Sequence, residues 1–123
     1  MITGFSHIQL VVSDLDVSLA WYATVLEIEP LTRGTFSGGD YAAMRSPSGH
    51  FVIGLQTGPG PVVAGSMIEH VSFAVGDLAD LQRHHDVIVA AGLASGALIE
   101  EAASWNFRFQ DPDGLFVELT AAK

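Results

Sequence analysis

The chain has 123 residues, 49% of them apolar, and carries 14 acidic against 5 basic side chains for a formal charge of −9. That composition supplies one small core. The acid excess excludes phosphate-backbone binding as a main role, the lack of any run of 18 apolar residues excludes a transmembrane helix, and the absence of cysteine excludes disulfides and thiolate metal sites.

Met1-Ile2-Thr3-Gly4 lacks the basic flank and apolar run of a secretory signal, so a cytoplasmic location is expected. Phe5–Val12 alternates and is rich in Ile, Leu and Val, which predicts a strand. Ser13 or Asp14 then caps a helix over about Asp16–Leu26, with Leu15, Leu19, Tyr22 and Leu26 at helical spacing and Trp21 and Val25 beside them. Pro30 ends the helical pattern. Strands are expected at Glu29–Arg33, Asp40–Arg45 and Phe51–Gln56, parted by turns at Gly38-Gly39 and Pro47-Ser48-Gly49. Thr57–Ser66, with three glycines and two prolines, reads as a linker. The plan then repeats: a strand over Ile68–Val75, and a helix over Leu78–Ala91 with Leu81, His85, Ile88 and Ala91 on one face and Gly92 at its end. Strands follow at Ala97–Glu101, Trp105–Phe109 and Leu115–Thr120, with a sharp turn at Asp111-Pro112-Asp113-Gly114.

The repeat is visible in the letters. Ser6–Leu15 returns as Glu69–Leu78, 63 residues later, with His, Val, Asp and Leu identical. Pro47-Ser48-Gly49-His50-Phe51-Val52 is echoed by Pro112-Asp113-Gly114-Leu115-Phe116-Val117. The chain therefore reads as an α+β domain over residues 1–123, built of two βαβββ modules at about 4–57 and 67–121 with a linker at 58–66. They are expected to form a curved, cup-shaped mixed sheet with the helices outside. Strand parity places His7 and Gln9 on the face away from the first helix, and His70 and Ser72 on the corresponding face of the second module. Glu118 lies between Val117 and Leu119, where a carboxylate is costly to bury unless something positive meets it. His7, His70 and Glu118 are thus expected to look into one cavity, with Gln9 and Ser72 on its wall. Glu69 is expected to face the other way. Arg108 is a candidate clamp for an anionic substrate, since a guanidinium binds carboxylates in bidentate fashion, or else a salt-bridge partner for Glu118. Trp105, Phe107 and Phe109 share a parity and read as core; Trp21 and Tyr22 read as packing. His84 and His85 fall on the outer helix, and His50 edges the pocket beside its turn.

The opening from His7 to Leu15 with Trp21-Tyr22 and Leu26, and the ending from Asp111 to Leu119, resemble the vicinal oxygen chelate superfamily. Glyoxalase I, extradiol dioxygenases, fosfomycin-resistance enzymes and bleomycin-binding proteins belong to it. The resemblance implies metal ligands on the first and last strands of each module. His7, His70 and Glu118 match three of four places. The fourth falls on Gly54, or on Ile53 if the repeat is aligned without a gap, and neither side chain binds metal; Gln56 is the nearest substitute. Two imidazoles and one carboxylate suit a divalent ion, Fe, Mn, Ni, Co or Zn, with open positions for a substrate bearing adjacent oxygens. Glu118 and Arg108 are then the expected catalytic side chains, and Gln9, Ser72 and Arg108 the substrate-binding ones. The resemblance implies a glyoxalase-like metal-dependent enzyme acting on a small metabolite or antibiotic, and it leaves open lyase, isomerase, transferase and dioxygenase chemistry. The alternative is a metal-free protein that sequesters a ligand or drug, for which an acidic surface suits a cationic ligand. Related small proteins also imply a homodimer, with modules exchanged between chains as one arrangement.

Overall fold

A computed structural model of the chain describes residues 1–62 and 68–123; residues 63–66 of the expected linker, and Met67 after them, lie outside the described residues. The chain divides into two units, Met1–Val62 and Val63–Lys123, each with the expected βαβββ order.

In the first unit β1 (His7–Val11) leads into α1 (Leu15–Leu26), followed by β2 (Glu29–Phe36), β3 (Gly39–Arg45) and β4 (Val52–Gln56). Its four strands lie in the order β1-β4-β3-β2, with β1 parallel to β4 and the other pairs antiparallel. In the second unit β5 (His70–Ala74) leads into α2 (Leu78–Ala90), then β6 (Ile99–Glu100), β7 (Ser104–Gln110) and β8 (Phe116–Ala122). The order β5-β8-β7-β6 repeats the same scheme. Hydrogen bonding thus groups the strands into two mixed sheets, one for each βαβββ module. Among the described residues no helix is long and apolar enough to cross a membrane.

Matching aspartates start the two helices. Asp14 accepts from the Val17 amide at 3.0 Å and Asp77 from the Asp80 amide at 2.8 Å, each satisfying a backbone donor that the first helical turn leaves open. The choice between Ser13 and Asp14 is settled for Asp14. α1 packs on β3 and β4, and α2 on β7 and β8. The buried stripe of α1 is Leu15, Ser18, Trp21, Tyr22 and Val25. It is rotated from the expected stripe, because Trp21 and Tyr22 both turn inward, their rings meeting edge to face at 4.8 Å. Leu19 and Leu26 are consequently only partly covered.

On β8, Val117, Leu119 and Ala121 are buried beneath α2 while Phe116, Glu118 and Thr120 alternate with them on the other face. Phe107 and Phe109 join that core, 4.8 Å apart between ring centres. Each large apolar side chain so buried contributes roughly 1.5–3 kcal/mol to folding. Trp105 is only half-buried and lies under the Lys123 ammonium, 5.0 Å from its ring centre. β2 runs three residues past its expected end, because Ser37-Gly38 alone makes the hairpin to β3. β6 shrinks to two residues paired with β7.

The turns before the last strands are twins of unequal length. Ser46 closes on Phe51, its amide donating to the Phe51 carbonyl at 3.1 Å; Asp111 closes on Leu115, its amide donating at 2.8 Å. In both, the turn glycine donates back to the first residue's carbonyl, Gly49 to Ser46 and Gly114 to Asp111. The first turn therefore carries one residue more, His50, which is exposed at the turn.

Candidate functional site

The register of the first unit sets Gln9 beside Gly54 and Gly54 beside Ala43. The register of the second sets Ser72 beside Glu118 and Glu118 beside Arg108. Gly54 therefore holds the place that Glu118 holds in the other module. Ile53 is excluded from it, since its side chain lies in the helix-side core at 1% exposure. The extra residue in the Ser46–Phe51 turn is what shifts the alignment by one.

The space a side chain at Gly54 would take is filled by Gln9. A Cβ built there would lie 1.8 Å from Gln9 Oε1, so the Gln9 amide covers the ground a side chain at Gly54 would need. Gln9 Nε2 donates to Gln56 Oε1 at 3.2 Å, and Gln56 Nε2 donates to the Gly58 carbonyl at 2.6 Å. Gln56 is thus engaged with neighbouring amides. His7 opens β1, exposed, with Nδ1 3.0 Å from Ser6 Oγ.

The second unit brings four expected residues together. Ser72 Oγ donates to Glu118 Oε1 at 2.9 Å, and Arg108 Nη2 donates to Glu118 Oε2 at 3.3 Å. His70 Nε2 lies 3.9 Å from Glu118 Oε1. The Glu118 side chain is 13% exposed, and its charge is met by the guanidinium, as a part-buried carboxylate requires. Of the two readings of Arg108, the geometry shows the pairing with Glu118; its side chain is 36% exposed.

Glu69 departs from expectation. Its Oε2 is hydrogen-bonded to His70 Nδ1, and its Oε1 accepts from Arg108 Nη1 at 3.1 Å. Glu69 precedes the first residue of β5, so strand alternation does not fix where it points. The bond from His70 holds the Glu69 carboxyl below the usual glutamate value; desolvation opposes this, and the charge of Arg108 adds to the lowering. The signal in the sequence was the adjacency Glu69-His70 itself, an acid next to an imidazole.

The remaining candidates are structural. His85 stacks edge-on against Phe107 at 4.7 Å, and its Nε2 meets the Gly96 carbonyl at 2.8 Å. That carbonyl first, and the Asp86 carboxylate second, push its pKa up. His84 lies 3.8 Å from Asp80. Asp111 Oδ1 accepts from the Asp113 and Leu115 amides, both at 2.9 Å, as expected of a turn aspartate. On the helix side of the first unit a cleft of about 430 Å³ runs between α1 and β2, past Leu19, Ala23, Pro30 and Leu31. It holds none of the expected site residues, and Arg33 on its wall is paired with Asp16 at 2.6 Å.

A dication asks for donor atoms about 2.0–2.2 Å from it, which places neighbouring donors roughly 3.0–3.5 Å apart. His70 Nε2 and Glu118 Oε1, 3.9 Å apart, are wider than that by about 0.4–0.9 Å; they lie on adjoining strands and on one face, so a small side-chain movement would bring both onto one ion. Among the described residues no group of three or more His, Cys, Asp or Glu side chains is placed to hold one ion.

Comparison with known proteins bears on the fold and the family. Biphenyl-2,3-diol 1,2-dioxygenase 2 of Rhodococcus globerulus is 26% identical over 121 residues, covering 94% of this chain and 60% of that protein. The chain thus spans less than two thirds of that relative's length. A glyoxylase/bleomycin resistance protein/dioxygenase domain from Frankia sp. EAN1pec superposes with a TM-score of 0.85 at 28% identity, covering 100% of both chains. The fosfomycin resistance protein FosX from Listeria monocytogenes, in complex with Mn(II) and 1S,2S-dihydroxypropylphosphonic acid, shares the fold at a TM-score of 0.81 and 22% identity, covering 100% of this chain and 95% of that one. The family model for the Glyoxalase/Bleomycin resistance protein/Dioxygenase superfamily matches residues 4–119, and the chain belongs to that superfamily.

Proposed function

We propose that the protein is a divalent-metal-dependent enzyme acting on a small metabolite or antibiotic with adjacent oxygen atoms. The observation that carries this is the pairing of His70 Nε2 with Glu118 Oε1 across β5 and β8. His7 is added as third ligand on the strength of its place, since it opens β1 as His70 opens β5. When bound, Fe, Mn, Ni, Co or Zn supplies a Lewis acid that polarises a substrate oxygen. The chain's own residues do the rest. Arg108 holds an anionic group of the substrate, Ser72 keeps Glu118 oriented, and Gln9 offers an amide to a neutral oxygen. Two relatives support the substrate class: FosX was solved with Mn(II) and 1S,2S-dihydroxypropylphosphonic acid, and the dioxygenase is named for biphenyl-2,3-diol, both compounds with neighbouring oxygens. The two units work as one domain, in a homodimer in the cytoplasm, with exchange of modules between chains as one way of completing the site.

Elemental analysis of protein prepared without chelator tests this. Near-stoichiometric metal, or its uptake on adding Mn(II), Fe(II), Ni(II), Co(II) or Zn(II), is the expected result; near-zero metal under both conditions overturns it.

A second reading, a metal-free sequestering protein, is favoured by one observation: Arg108 already neutralises Glu118. It predicts thermal stabilisation by a ligand in the presence of chelator and no turnover.

A further inference from the structure

We propose that Glu69 is a positioning residue for cation capture, holding His70 by Nδ1 so that Nε2 is left as the lone-pair donor beside Glu118. This rests on His70 and Glu118 being ligands, as proposed above, and adds a residue that strand parity turned away from the site.

A neutral imidazole has one N–H and one lone pair, and the partner of one nitrogen decides which is which. Two groups contend for His70 Nδ1. The Glu69 carboxylate is bonded to it, and Arg108 Nη2 stands 3.4 Å away. They ask for opposite tautomers, because a carboxylate needs Nδ1–H whereas a guanidinium N–H needs a bare Nδ1. The carboxylate prevails, since Arg108 Nη2 is at the limit of hydrogen bonding to Nδ1 and is also engaged with Glu118 Oε2 at 3.3 Å. Glu69 further draws off the guanidinium's other arm, Nη1, at 3.1 Å. Without Glu69, Arg108 is free to donate to Nδ1, the proton moves to Nε2, and the atom facing Glu118 becomes a donor that cannot bind a cation. Carboxylates that fix a histidine in this way contribute about 10–100-fold to metal affinity. Glu69 is 69% exposed, which places the expected effect at the low end of that range.

The test uses the whole chain at pH 8. The His70 tautomer is read by nitrogen-15 NMR on metal-free protein, and Zn(II) and Mn(II) affinities by calorimetry, for wild type, Glu69→Ala and Glu69→Gln. Wild type should carry Nδ1–H. Glu69→Ala should shift the proton to Nε2 and weaken both ions about tenfold. Glu69→Gln, whose amide oxygen still accepts from Nδ1–H, should keep the tautomer and recover much of the affinity. Because both variants lose the same charge, a common loss of affinity with no tautomer change would overturn the positioning role and leave simple electrostatics. Wild type that binds ions, with Glu69→Ala unchanged in tautomer and affinity, overturns the role of Glu69 alone. Wild type that binds neither ion, with Nδ1–H intact, overturns the ligand assignment of His70 and Glu118, and the capture role with it.

Discussion

The two modules share a backbone plan and differ in what they place at its centre. Across β5, β8 and β7 the second unit sets Ser72, Glu118 and Arg108 side by side; across β1, β4 and β3 the first sets Gln9, Gly54 and Ala43. One triplet is charged and cross-bonded, the other neutral and nearly bare. Equal strand order, helix caps and turn hydrogen bonds are therefore compatible with unequal chemistry, because the open face of each sheet is free of the packing demands that hold the helix-side face. The difference in charge between the modules is concentrated at these three cross-strand neighbours.

The largest expected effect is the loss of that charged centre. Glu118→Gln should weaken divalent-ion binding by more than about a hundredfold, beyond what loss of an outer hydrogen-bond partner costs. Calorimetric titration checks it, and an unchanged affinity would remove Glu118 from the ligand set. The neutral centre is sharpened by a double-mutant cycle. Gly54→Ala gains chain stiffness worth about 0.5–1 kcal/mol, but forces Gln9 off Gln56 at a cost of about 1 kcal/mol, so alone it should be near neutral. With Gln9→Ser it should stabilise, giving a coupling of about 1 kcal/mol in denaturant unfolding. Purely additive values would show that Gln9 does not lie over Gly54.

The helices offer a smaller contrast. His85 in α2 stands where α1 has the buried Tyr22. Contact with the Gly96 carbonyl, then Asp86, raises the folded-state pKa of His85 above 6.5. Its stabilising contribution is therefore complete below about pH 6.5, the unfolded value, and is lost as pH rises through the folded one. Melting temperature should fall across that window in wild type, and the fall should flatten in His85→Gln, a difference that scanning calorimetry resolves. Smallest is Arg33→Ala in the first unit. It breaks the Arg33–Asp16 pair, whose side chains are 54% and 76% exposed, and should cost under about 1 kcal/mol.

Much of this was legible from residue order. Alternation in Phe5–Val12 and Leu115–Thr120 fixed which side chains share a face, and the Asp14 and Asp77 caps fixed where helices begin. Three things escaped it. The choice between Gly54 and Ile53 depends on a single extra residue in the Ser46–Phe51 turn, which only the closing hydrogen bonds reveal. Glu69 lies just outside β5, where period-two reasoning stops applying. The stripe of α1 that is buried follows two adjacent aromatics, Trp21 and Tyr22, which helical spacing alone does not order. In each case the deciding contact joins residues that the local pattern treats as independent.

The chain of amides from Gln9 through Gln56 to the Gly58 carbonyl has a mechanical consequence. A guest that draws the Gln9 carboxamide aside would leave Gln56 Oε1 without that donor, and Gln56 also holds the Gly58 carbonyl, four residues before the first unit ends at Val62. Occupancy on the open face of β1 would thereby be transmitted to the exit of that unit, by a relay of two glutamines that carries no charge and is indifferent to pH.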